Sequence, residues 1–582
     1  MKIKKWCQKV AIVCAIIMAI LNIGIFHAQA AVEATVSEET LCSCGGCLED
    51  DLSYYTPDTR YSSSAVTRAV LPSSVDLSTS PCFPPIGNQG AKGSCAEFAT
   101  TYYQYTYEVN KLKGVTDAED LVIYSPTWTY NLANGGVDKG ISFFNAYKVL
   151  EKFGCLTLKD LPYNPDTISD TSIWEPNLID KKREALKISC EYHTVSITCN
   201  SHYGLSPITN INNEQLMKVK QLLNDGKVLV VSAEYLTRNE KNGYGKDSNK
   251  ICSYEFMLIH NNDDDNNSHA LTIVGYDDTI CCDINGDGMI EDAERGAFKV
   301  VNSHGTSNSY SGYNWVMYDA LNYRSAVSNF TNDENRISAF SGRVNTFRYI
   351  NIGYREPNLI AQIWINTNNL NYLKLGKYWC DDVNEEPENY FSVPVVSETK
   401  NENVFSFEGT LLFALSSGED NLSDLYCNDY FEIFIHDLPA STGNEYFISK
   451  TDIVDDNGNI ITRGMQTTTN MIYWQSPLIR GDVNYDGVIN ANDADIITDF
   501  CILMYDFSRV QCEVADYNQD GVVDLRDAIA INNYLSQNGL ATTEELVQLQ
   551  TKIRSCLQDK AILANYNLED VAEMQAELVS IS

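Results

Sequence analysis

Gln89-Gly-Ala-Lys-Gly-Ser-Cys95-Ala-Glu-Phe98 places a cysteine at the start of a predicted helix. One apolar face with steps of three and four residues follows, and Gly114 ends it. This face consists of Phe98, Tyr102, Tyr105, Val109 and Leu112. A thiol in the first turn of a helix lies at the positive end of the helix dipole, which favours the reactive thiolate. A lone cysteine of this kind is more often a small packed side chain.

Two further segments favour a nucleophile over a packed cysteine. His269 begins an apolar run that Gly275 ends, which predicts a buried strand with a histidine at its edge. A second predicted strand ends at Asn302. A thiol nucleophile needs a base, and the base needs a neutral acceptor to hold its ring. Gln89 adds an amide donor beside the Cys95 N–H, which together form an oxyanion hole.

These segments resemble the papain family of cysteine peptidases from about residue 71 to residue 318. Leu71-Pro-Ser-Ser-Val-Asp76 is similar to the mature start of the family, and residues 89–98 are similar to its nucleophile motif. Asn134-Gly135-Gly136 resembles the segment that lines the substrate cleft. The resemblance implies Cys95 as nucleophile, His269 as base, Asn302 as orienter and Gln89 as oxyanion donor. It also implies that Gly135 and Gly136 bind a peptide or protein substrate.

The chain departs from the family pattern at three positions. Ala96 and His304 stand where the family usually has tryptophan. Lys92 stands where it usually has a half-cystine, which implies that this disulfide is absent. The interval from Cys95 to His269 is longer than usual, which predicts an inserted loop with residues 261–267 as one candidate.

The N-terminal segment predicts export. Four lysines precede an apolar run from Val10 to Phe26, and Ala28-Gln-Ala30 follows as a cleavage site. We therefore expect residues 1–30 to be a secretory signal peptide and the protein to be extracellular, associated with a scaffold or the cell surface, without stable membrane insertion after cleavage. An uncleaved anchor is the alternative.

The formal net charge of the 582-residue chain is −36, which disfavours binding to nucleic acid or to an anionic membrane. The chain has 18 cysteines. After the signal peptide and Cys95 are set aside, an odd number is left, so complete pairing within the chain is excluded.

Two tandem twelve-residue loops fit calcium sites, and together they predict two bound Ca²⁺ ions. Glycine stands at loop position six, where the chain must turn sharply, and a short helix is predicted after each loop. The first loop supplies Asp482, Asn484, Asp486, Val488, Asn490 and Asp493. The second supplies Asp516, Asn518, Asp520, Val522, Asp524 and Asp527.

The tandem loops resemble a dockerin module. No helix is predicted before either loop, and aspartate occupies position twelve, where a paired EF-hand usually has glutamate. The resemblance implies binding to a cohesin module of a scaffold protein in a cellulosome-type assembly. It places the cohesin contacts at loop positions ten and eleven, which are Ala491, Asn492, Leu525 and Arg526.

A third loop of the same pattern lies between His269 and Asn302. Its candidate ligands for a third Ca²⁺ are Asp283, Asn285, Asp287, Met289, Glu291 and Glu294. An acidic surface hairpin that binds no ion is the alternative. A bound ion would hold the two predicted catalytic strands in register.

The remaining segments complete an α+β organisation with several domains. We expect a linker or short pro-segment at 31–70, a two-lobed papain-like domain at 71–339, a β-sandwich-like domain at 340–475, a small α-helical calcium-binding dockerin at 476–540 and a helical tail at 541–582. The tail is expected to form one helix with Leu546, Leu549, Ile553 and Leu557 on its apolar face. The 340–475 domain is a candidate spacer, carbohydrate-binding module or substrate platform.

The sequence thus predicts a secreted cysteine peptidase that is held on a scaffold by its dockerin. The alternative is a catalytically weak papain-like domain that serves as a binding or inhibitory module. Ala96 and His304 are the residues that favour this alternative.

Overall fold

The structure is a computed structural model. It describes residues 55–57, 71–134, 138, 140–165, 178–197, 207–234, 238–243, 256–261, 268–307, 311–322, 324–330, 340, 345–357, 359–367, 373–380, 390–393, 407–416, 430–437, 446–463, 471–475, 479–502, 504, 507, 509–559, 562, 566 and 568–578. The predicted signal peptide and the substrate-cleft residues Gly135 and Gly136 lie outside these ranges.

One ten-stranded sheet forms the centre of the first half of the chain. Its strands are β1 (Thr56–Pro57), β2 (Ser74–Asp76), β3 (Ile188–Ile197), β4 (Leu229–Glu234), β5 (Arg238–Asn242), β6 (Phe256–Asn261), β7 (Ser268–Cys281), β8 (Arg295–Val301), β9 (Tyr313–Met317) and β10 (Asn345–Tyr354). The order is β1-β3-β10-β4-β7-β8-β9-β6-β5, and β2 pairs with β7. The strands that carry His269 and lead to Asn302 are therefore central, antiparallel neighbours.

Five helices of the described residues accompany this sheet in the first half of the chain. Helix α1 begins as Cys95–Glu97, continues as a π-helical segment over Phe98–Tyr105 and ends as Thr106–Leu112. The others are α2 (Pro126–Asn134), α3 (Phe143–Phe153), α4 (Ile179–Ala185) and α5 (Glu214–Asn224). Of the five, α1, α3 and α5 pack on the sheet. The predicted helix after Cys95 is thus present, and Gly114 follows it with φ +69°. This backbone conformation suits glycine because it has no Cβ.

Helix α1 is tied to the sheet by side-chain hydrogen bonds to main-chain carbonyls. Gln104 Nε2 donates to Val228 O at 2.8 Å and to Arg348 O at 3.0 Å. Thr272 Oγ1 on β7 donates to Ala99 O at 3.2 Å. These buried bonds fix the helix of Cys95 against the strand that carries His269, because an unsatisfied buried amide or hydroxyl is costly.

The predicted domain boundary between residues 339 and 340 is wrong. Strand β10 pairs with β3 at ten consecutive positions, from Asn345↔Ile197 to Tyr354↔Ile188. Its side chains Phe347 and Tyr349 are fully buried in the same cluster as Phe298 of β8. Residues 345–354 therefore belong to the sheet of the first domain, because their backbone and apolar side chains complete it.

Two four-stranded antiparallel sheets follow. One has the order β14-β11-β16-β17 and the other β13-β12-β15-β18. Their strands are β11 (Leu359–Thr367), β12 (Leu373–Cys380), β13 (Tyr390–Val393), β14 (Phe407–Ser416), β15 (Tyr430–Asp437), β16 (Tyr446–Val454), β17 (Ile460–Arg463) and β18 (Met471–Gln475). The antiparallel β character agrees with the sequence, whereas the β-sandwich arrangement stays a prediction.

The first of these sheets is packed onto the helices of the first domain. Ile363 and Phe413 share one buried cluster with Phe143 and Leu150 of α3. Lys182 of α4, which is buried, donates to Thr410 O at 2.9 Å. This sheet therefore packs against α3 and α4 and stabilises them.

The C-terminal part is helical and shares one core. Its helices are α6 (Ala491–Cys501), α7 (Arg509–Ala515), α8 (Leu525–Asn538), α9 (Thr543–Cys556) and α10 (Leu568–Glu577). The expectation that no helix precedes either loop is wrong for the second loop, because α7 ends directly before Asp516.

The expectation of a single tail helix is also wrong, since both α9 and α10 lie beyond residue 540. Leu549, Ile553 and Met574 of these helices share a buried cluster with Ile497 and Ile529 of the loop helices. The tail is therefore part of the module's core. Among the described residues, no helix combines the length and apolar character needed to cross a membrane.

We predict that Phe347→Ala destabilises the protein by about 3–5 kcal/mol, because it leaves a cavity in the shared core. The matched control on the same strand is Tyr354→Ala, whose side chain is 65% exposed and whose loss should cost less than about 1 kcal/mol. Urea unfolding measures both. Equal stability of the two variants would contradict the assignment of β10 to the main core.

Candidate active site

Cys95 is the first residue of α1 and is fully buried. The first turn of α1 contacts strand β7, so the thiol lies at the helix start beside the strand of His269. Gly90 shapes the preceding loop with φ +62°, and a Cβ at this position would lie 2.4 Å from Pro165 O. The loop therefore needs glycine both for its backbone conformation and for space.

His269 and Asn302 meet across the two central strands. His269 Nε2 lies 2.8 Å from Asn302 Oδ1. Because an amide oxygen only accepts, Nε2 carries the hydrogen, and in the neutral ring Nδ1 is then the acceptor. Asn302 Oδ1 also accepts from Ser303 N at 2.7 Å, which fixes the amide. This is the tautomer that a histidine needs to take a proton from a thiol through Nδ1.

Gln89 is buried and is oriented by contacts at both ends of its amide. Its Oε1 accepts a hydrogen bond from Ser303 Oγ, and its Nε2 donates to Lys92 O at 2.8 Å. The Gln89 N–H donates to Ser303 O at 2.7 Å. The oxygen end is thus directed to Ser303, and the NH₂ end, which has a second hydrogen, is on the side of the nucleophile loop.

Tyr103 is a site residue that sequence reasoning missed. From α1 its hydroxyl donates to Asn302 O at 2.7 Å and accepts from Gly87 N at 3.0 Å. Burial raises the pKa of Tyr103 well above its ordinary value, so the phenol stays a donor. It connects the loop of Asn302 with the loop before Gln89. Nothing in the sequence distinguishes it from the neighbouring tyrosines, because its partners are main-chain atoms.

His304, which stands where the resembled motif has tryptophan, lies against His269. Its ring stacks on the ring of His269 with centroids 5.2 Å apart and an interplanar angle of 10°. The position is therefore filled by an aromatic ring that covers one face of His269.

The segment that carries Lys92 is held by a polar network. Asp138 Oδ1 accepts from Gly93 N at 2.9 Å and also from the Tyr130 hydroxyl. The Lys92 ammonium lies 4.8 Å from the centre of the Tyr163 ring, and the Tyr163 hydroxyl donates to Gln89 O at 2.7 Å. Hydrogen bonds from two neighbouring segments thus hold the loop that precedes Cys95.

Glu97 is a buried acid on the first turn of α1. It is fully buried, and neither carboxyl oxygen has a hydrogen-bond partner among the described residues. Burial first, and then the charge of Asp138, raise the pKa of Glu97 well above its ordinary value. The carboxyl is therefore protonated over a wide pH range, because the charged form is poorly solvated there.

The three predicted calcium loops have the same internal hydrogen bonds. In each loop the carboxylate at position one accepts from the N–H groups of positions five and six: Asp283 from 287 and 288, Asp482 from 486 and 487, and Asp516 from 520 and 521. The carboxylate at position twelve accepts from positions three and nine: Glu294 from 285 and 291, Asp493 from 484 and 490, and Asp527 from 518 and 524. The three loops that share a sequence pattern therefore also share a backbone conformation.

The loops also share two left-handed positions. Position six has φ of 84°, 87° and 85° at Gly288, Gly487 and Gly521. Position four is also left-handed, with Gly286 in the third loop and the non-glycine residues Tyr485 and Gln519 in the tandem loops. Such a conformation is uncommon for a non-glycine residue, so the loop fold imposes it.

The side chains in these loops are hard oxygen donors, which suit Ca²⁺. In the described part of the chain, no group of three or more His, Cys, Asp or Glu side chains stands in a metal-holding arrangement. The predicted ligand sets also include asparagine side chains and a main-chain carbonyl. The residues that would hold an ion in the third loop lie between β7 and β8, at the end of the hairpin opposite His269 and Asn302.

The predicted cohesin contacts differ in exposure. Leu525 is fully buried in the module core, so its assignment as a cohesin contact is wrong. Ala491 is partly buried and Asn492 is exposed. Arg526 is partly exposed, with Nη1 3.2 Å from Asp520 Oδ2 and Nη2 3.8 Å from Asp570 Oδ2 of α10.

Three solved structures illustrate what the chain is similar to. Xylellain, a cysteine protease from Xylella fastidiosa, is 21% identical over 54% of this chain and 98% of that chain, with a TM-score of 0.33. Digestive procathepsin L 3 of the Tenebrio molitor larval midgut is 15% identical over 53% of this chain and 76% of that chain, with a TM-score of 0.30. The bromelain protease from Ananas comosus, in complex with the inhibitor E64, is 16% identical over 48% of this chain and 98% of that chain, with a TM-score of 0.28.

These neighbours are papain-family cysteine proteases, and they match about half of this chain. No protein-family model and no curated protein matches it.

The buried acid Glu97 predicts a pH dependence of stability. Above about pH 4.3 the unfolded carboxyl loses its proton while the folded one keeps it, so stability should fall by about 1.4 kcal/mol per pH unit until the raised pKa is reached. Glu97→Gln should remove this fall. Urea unfolding at several pH values measures it.

Glu151→Gln is the control, because the pKa of Glu151 is shifted in the direction opposite to that of Glu97. Burial opposes ionisation of Glu151, but Lys152 and Lys148 outweigh it and lower the pKa. That group contributes stability above its unfolded pKa, which is lost as the pH falls through the folded value. Unchanged pH dependence in Glu97→Gln would contradict the protonated state of Glu97.

Proposed function

We propose that the first domain is a papain-like cysteine peptidase that hydrolyses peptide bonds. The observation that carries this proposal is the 2.8 Å contact between His269 Nε2 and Asn302 Oδ1, which leaves Nδ1 as the nitrogen that accepts a proton. Cys95 at the start of α1 and the oriented amide of Gln89 supply the two other parts that acyl transfer needs.

The proposed reaction has two stages. The Cys95 thiol gives its proton to His269 Nδ1, and the thiolate forms a bond to the scissile carbonyl carbon. Gln89 Nε2–H and the Cys95 N–H stabilise the oxyanion. When the C–N bond breaks, His269 protonates the leaving amine and a thioester is left. Water, deprotonated by His269, then attacks the thioester, and Cys95 leaves with the proton returned.

A catalytically weak binding or inhibitory domain is the second candidate. The complete burial of Cys95 and His269 favours it, since a substrate carbonyl must reach the sulfur. Ala96 and His304 favour it as well, because both replace tryptophan of the resembled motif. The two candidates differ in whether Cys95 reacts with a substrate or with a mechanism-based inhibitor.

We expect Cys95→Ser to lower peptide hydrolysis by at least about 1,000-fold with little change in melting temperature, because the thiolate is the nucleophile. Asn302→Ala should have a smaller effect than His269→Ala, because an orienter contributes less than the base. A fluorogenic peptide measures turnover, and mass spectrometry measures one-to-one labelling of Cys95 by an epoxide inhibitor.

Two outcomes separate the candidates. Labelling without turnover would favour the binding domain with a reactive thiol. Unchanged hydrolysis in Cys95→Ser would exclude the peptidase mechanism.

We further propose that the protein is secreted and that its C-terminal module binds calcium and a cohesin. Support for calcium comes from the oxygen side chains and from the conformation shared by the three loops. For the cohesin surface we retain Ala491, Asn492 and Arg526. Both loop helices also contact the tail, since Lys552 Nζ lies 2.6 Å from Asp495 Oδ1 and Arg526 pairs with Asp570. A cohesin would therefore have to bind beside α9 and α10.

Calcium binding is tested with matched alanine variants at loop position five. Asp287→Ala, Asp486→Ala and Asp520→Ala each remove one proposed ligand whose side chain is exposed. Each should reduce the calcium stoichiometry by one ion in calorimetry, and chelation should unfold the tandem-loop module because ion binding is coupled to its folding. Asp292→Ala, at position ten of the third loop, is exposed and supplies no ligand, so it is the control.

A stoichiometry of two that is unaffected by Asp287→Ala would identify the third loop as an acidic hairpin. Cohesin binding that persists in excess chelator would exclude the dockerin interpretation.

A further inference from the structure

The loop that follows Asn302 holds a second histidine in a defined place. Asn88 and His304 form an antiparallel bridge, and Gly305 N donates to Gly87 O at 2.9 Å. These main-chain contacts fix His304 against the segment that leads to Gln89. Its ring then lies parallel to His269, with 5.2 Å between the centroids. His304 is partly exposed, so its imidazole remains within reach of solvent protons.

The His304 ring stacks on the ring of His269, whose Nε2 edge is already bonded to Asn302. Asn302 fixes one edge of the His269 ring at Nε2. A parallel ring on one face restricts tilting of the imidazole and keeps Nδ1 in the plane in which the thiol would meet it. The stack itself does not touch the reacting atoms, so the role that we infer from it acts through His269.

An imidazole differs from an indole in this position because it can become charged. In the thiolate state His269 carries the proton and is a cation. A neutral aromatic ring stabilises a cation over its face. A second cation at 5.2 Å repels it, and a like charge lowers the pKa of a histidine. Unperturbed histidine titrates near pH 6.5, which is within the working range of most proteins.

The packed segments place the following groups beside His304. Across the stack lies His269, which would exchange a proton with Cys95. The bridging segment 87–90 consists of glycine, asparagine and glutamine, which carry no charge. On its own loop, Asn302 and Ser303 are also uncharged. The stack itself therefore couples a charge on His304 to the thiolate–imidazolium pair.

We propose that His304 is a positioning residue for His269 and that its protonation sets the acid limit of Cys95 reactivity. Neutral His304 orients and stabilises the imidazolium, whereas charged His304 opposes it. The importance of this effect for activity rests on the proposed peptidase function. The effect itself is a change in the reactivity of Cys95 with pH, which can be measured without peptide hydrolysis.

The test compares three variants by the rate at which iodoacetamide alkylates Cys95 between about pH 4 and pH 8. His304→Phe keeps a ring and removes the charge, so the acid limb should move down by about one pH unit with a plateau within about threefold of wild type. His304→Ala removes the ring, so the plateau should fall by about tenfold. His193→Phe is the control, because His193 stacks on Tyr349 elsewhere in the sheet and should leave the profile unchanged.

An acid limb in His304→Phe that coincides with wild type would overturn the charge effect. A plateau in His304→Ala equal to that of wild type would overturn the positioning effect. The same variants are then assayed for kcat/KM on a fluorogenic peptide. If alkylation shows the predicted shift but no variant hydrolyses peptide, the peptidase function fails and the role of His304 stands. If peptide is hydrolysed but the alkylation profiles coincide, the role of His304 fails alone.

Discussion

The hydrogen bond between His269 and Asn302 joins two adjacent strands of the central sheet, and the arrangement of the site depends on it. His269 is the second residue of β7 and Asn302 follows β8, and the two strands pair antiparallel with Thr272 opposite Val301. The sheet thus brings together two residues that are 33 positions apart. Because Asn302 Oδ1 accepts from Nε2, the neutral His269 ring has one defined tautomer.

Helix α1 contacts the same region from the Cys95 side. Tyr103 of α1 binds the main-chain carbonyl of Asn302 and the N–H of Gly87, while Ser303 binds the amide oxygen of Gln89. One phenol and one hydroxyl therefore connect α1, the loop of Gln89 and the loop of Asn302. Their contribution comes from burial, since a hydrogen bond that is screened from water is costly to lose. The hydrogen bond from Gly93 N to Asp138 holds the segment before Cys95 in a similar way.

The later parts of the chain are packed onto the first domain rather than following it as separate modules. Strand β10 completes the main sheet, and the sheet of β11 and β14 packs on helix α3. Val514, at the end of α7, lies in that same buried cluster, and Asn459 Nδ2 lies 3.3 Å from Gln511 Oε1. The loop module thus contacts the β domain through a specific polar and apolar surface. The third loop connects β7 to β8, so an ion bound there would act on the hairpin whose other end holds the site.

The sequence by itself determined the helix after Cys95, the strand after His269, the strand before Asn302 and the turn positions of the three loops. These features are local, because they follow from apolar periodicity and from glycine at left-handed positions. Tertiary structure alone decided that β10 belongs to the first sheet, that Leu525 is buried and that the tail joins the module core. It also decided the contacts of Tyr103 and His304, which are made with main-chain atoms and with a facing ring. Contacts of this kind join residues that are distant in the chain, so a local sequence pattern cannot predict them.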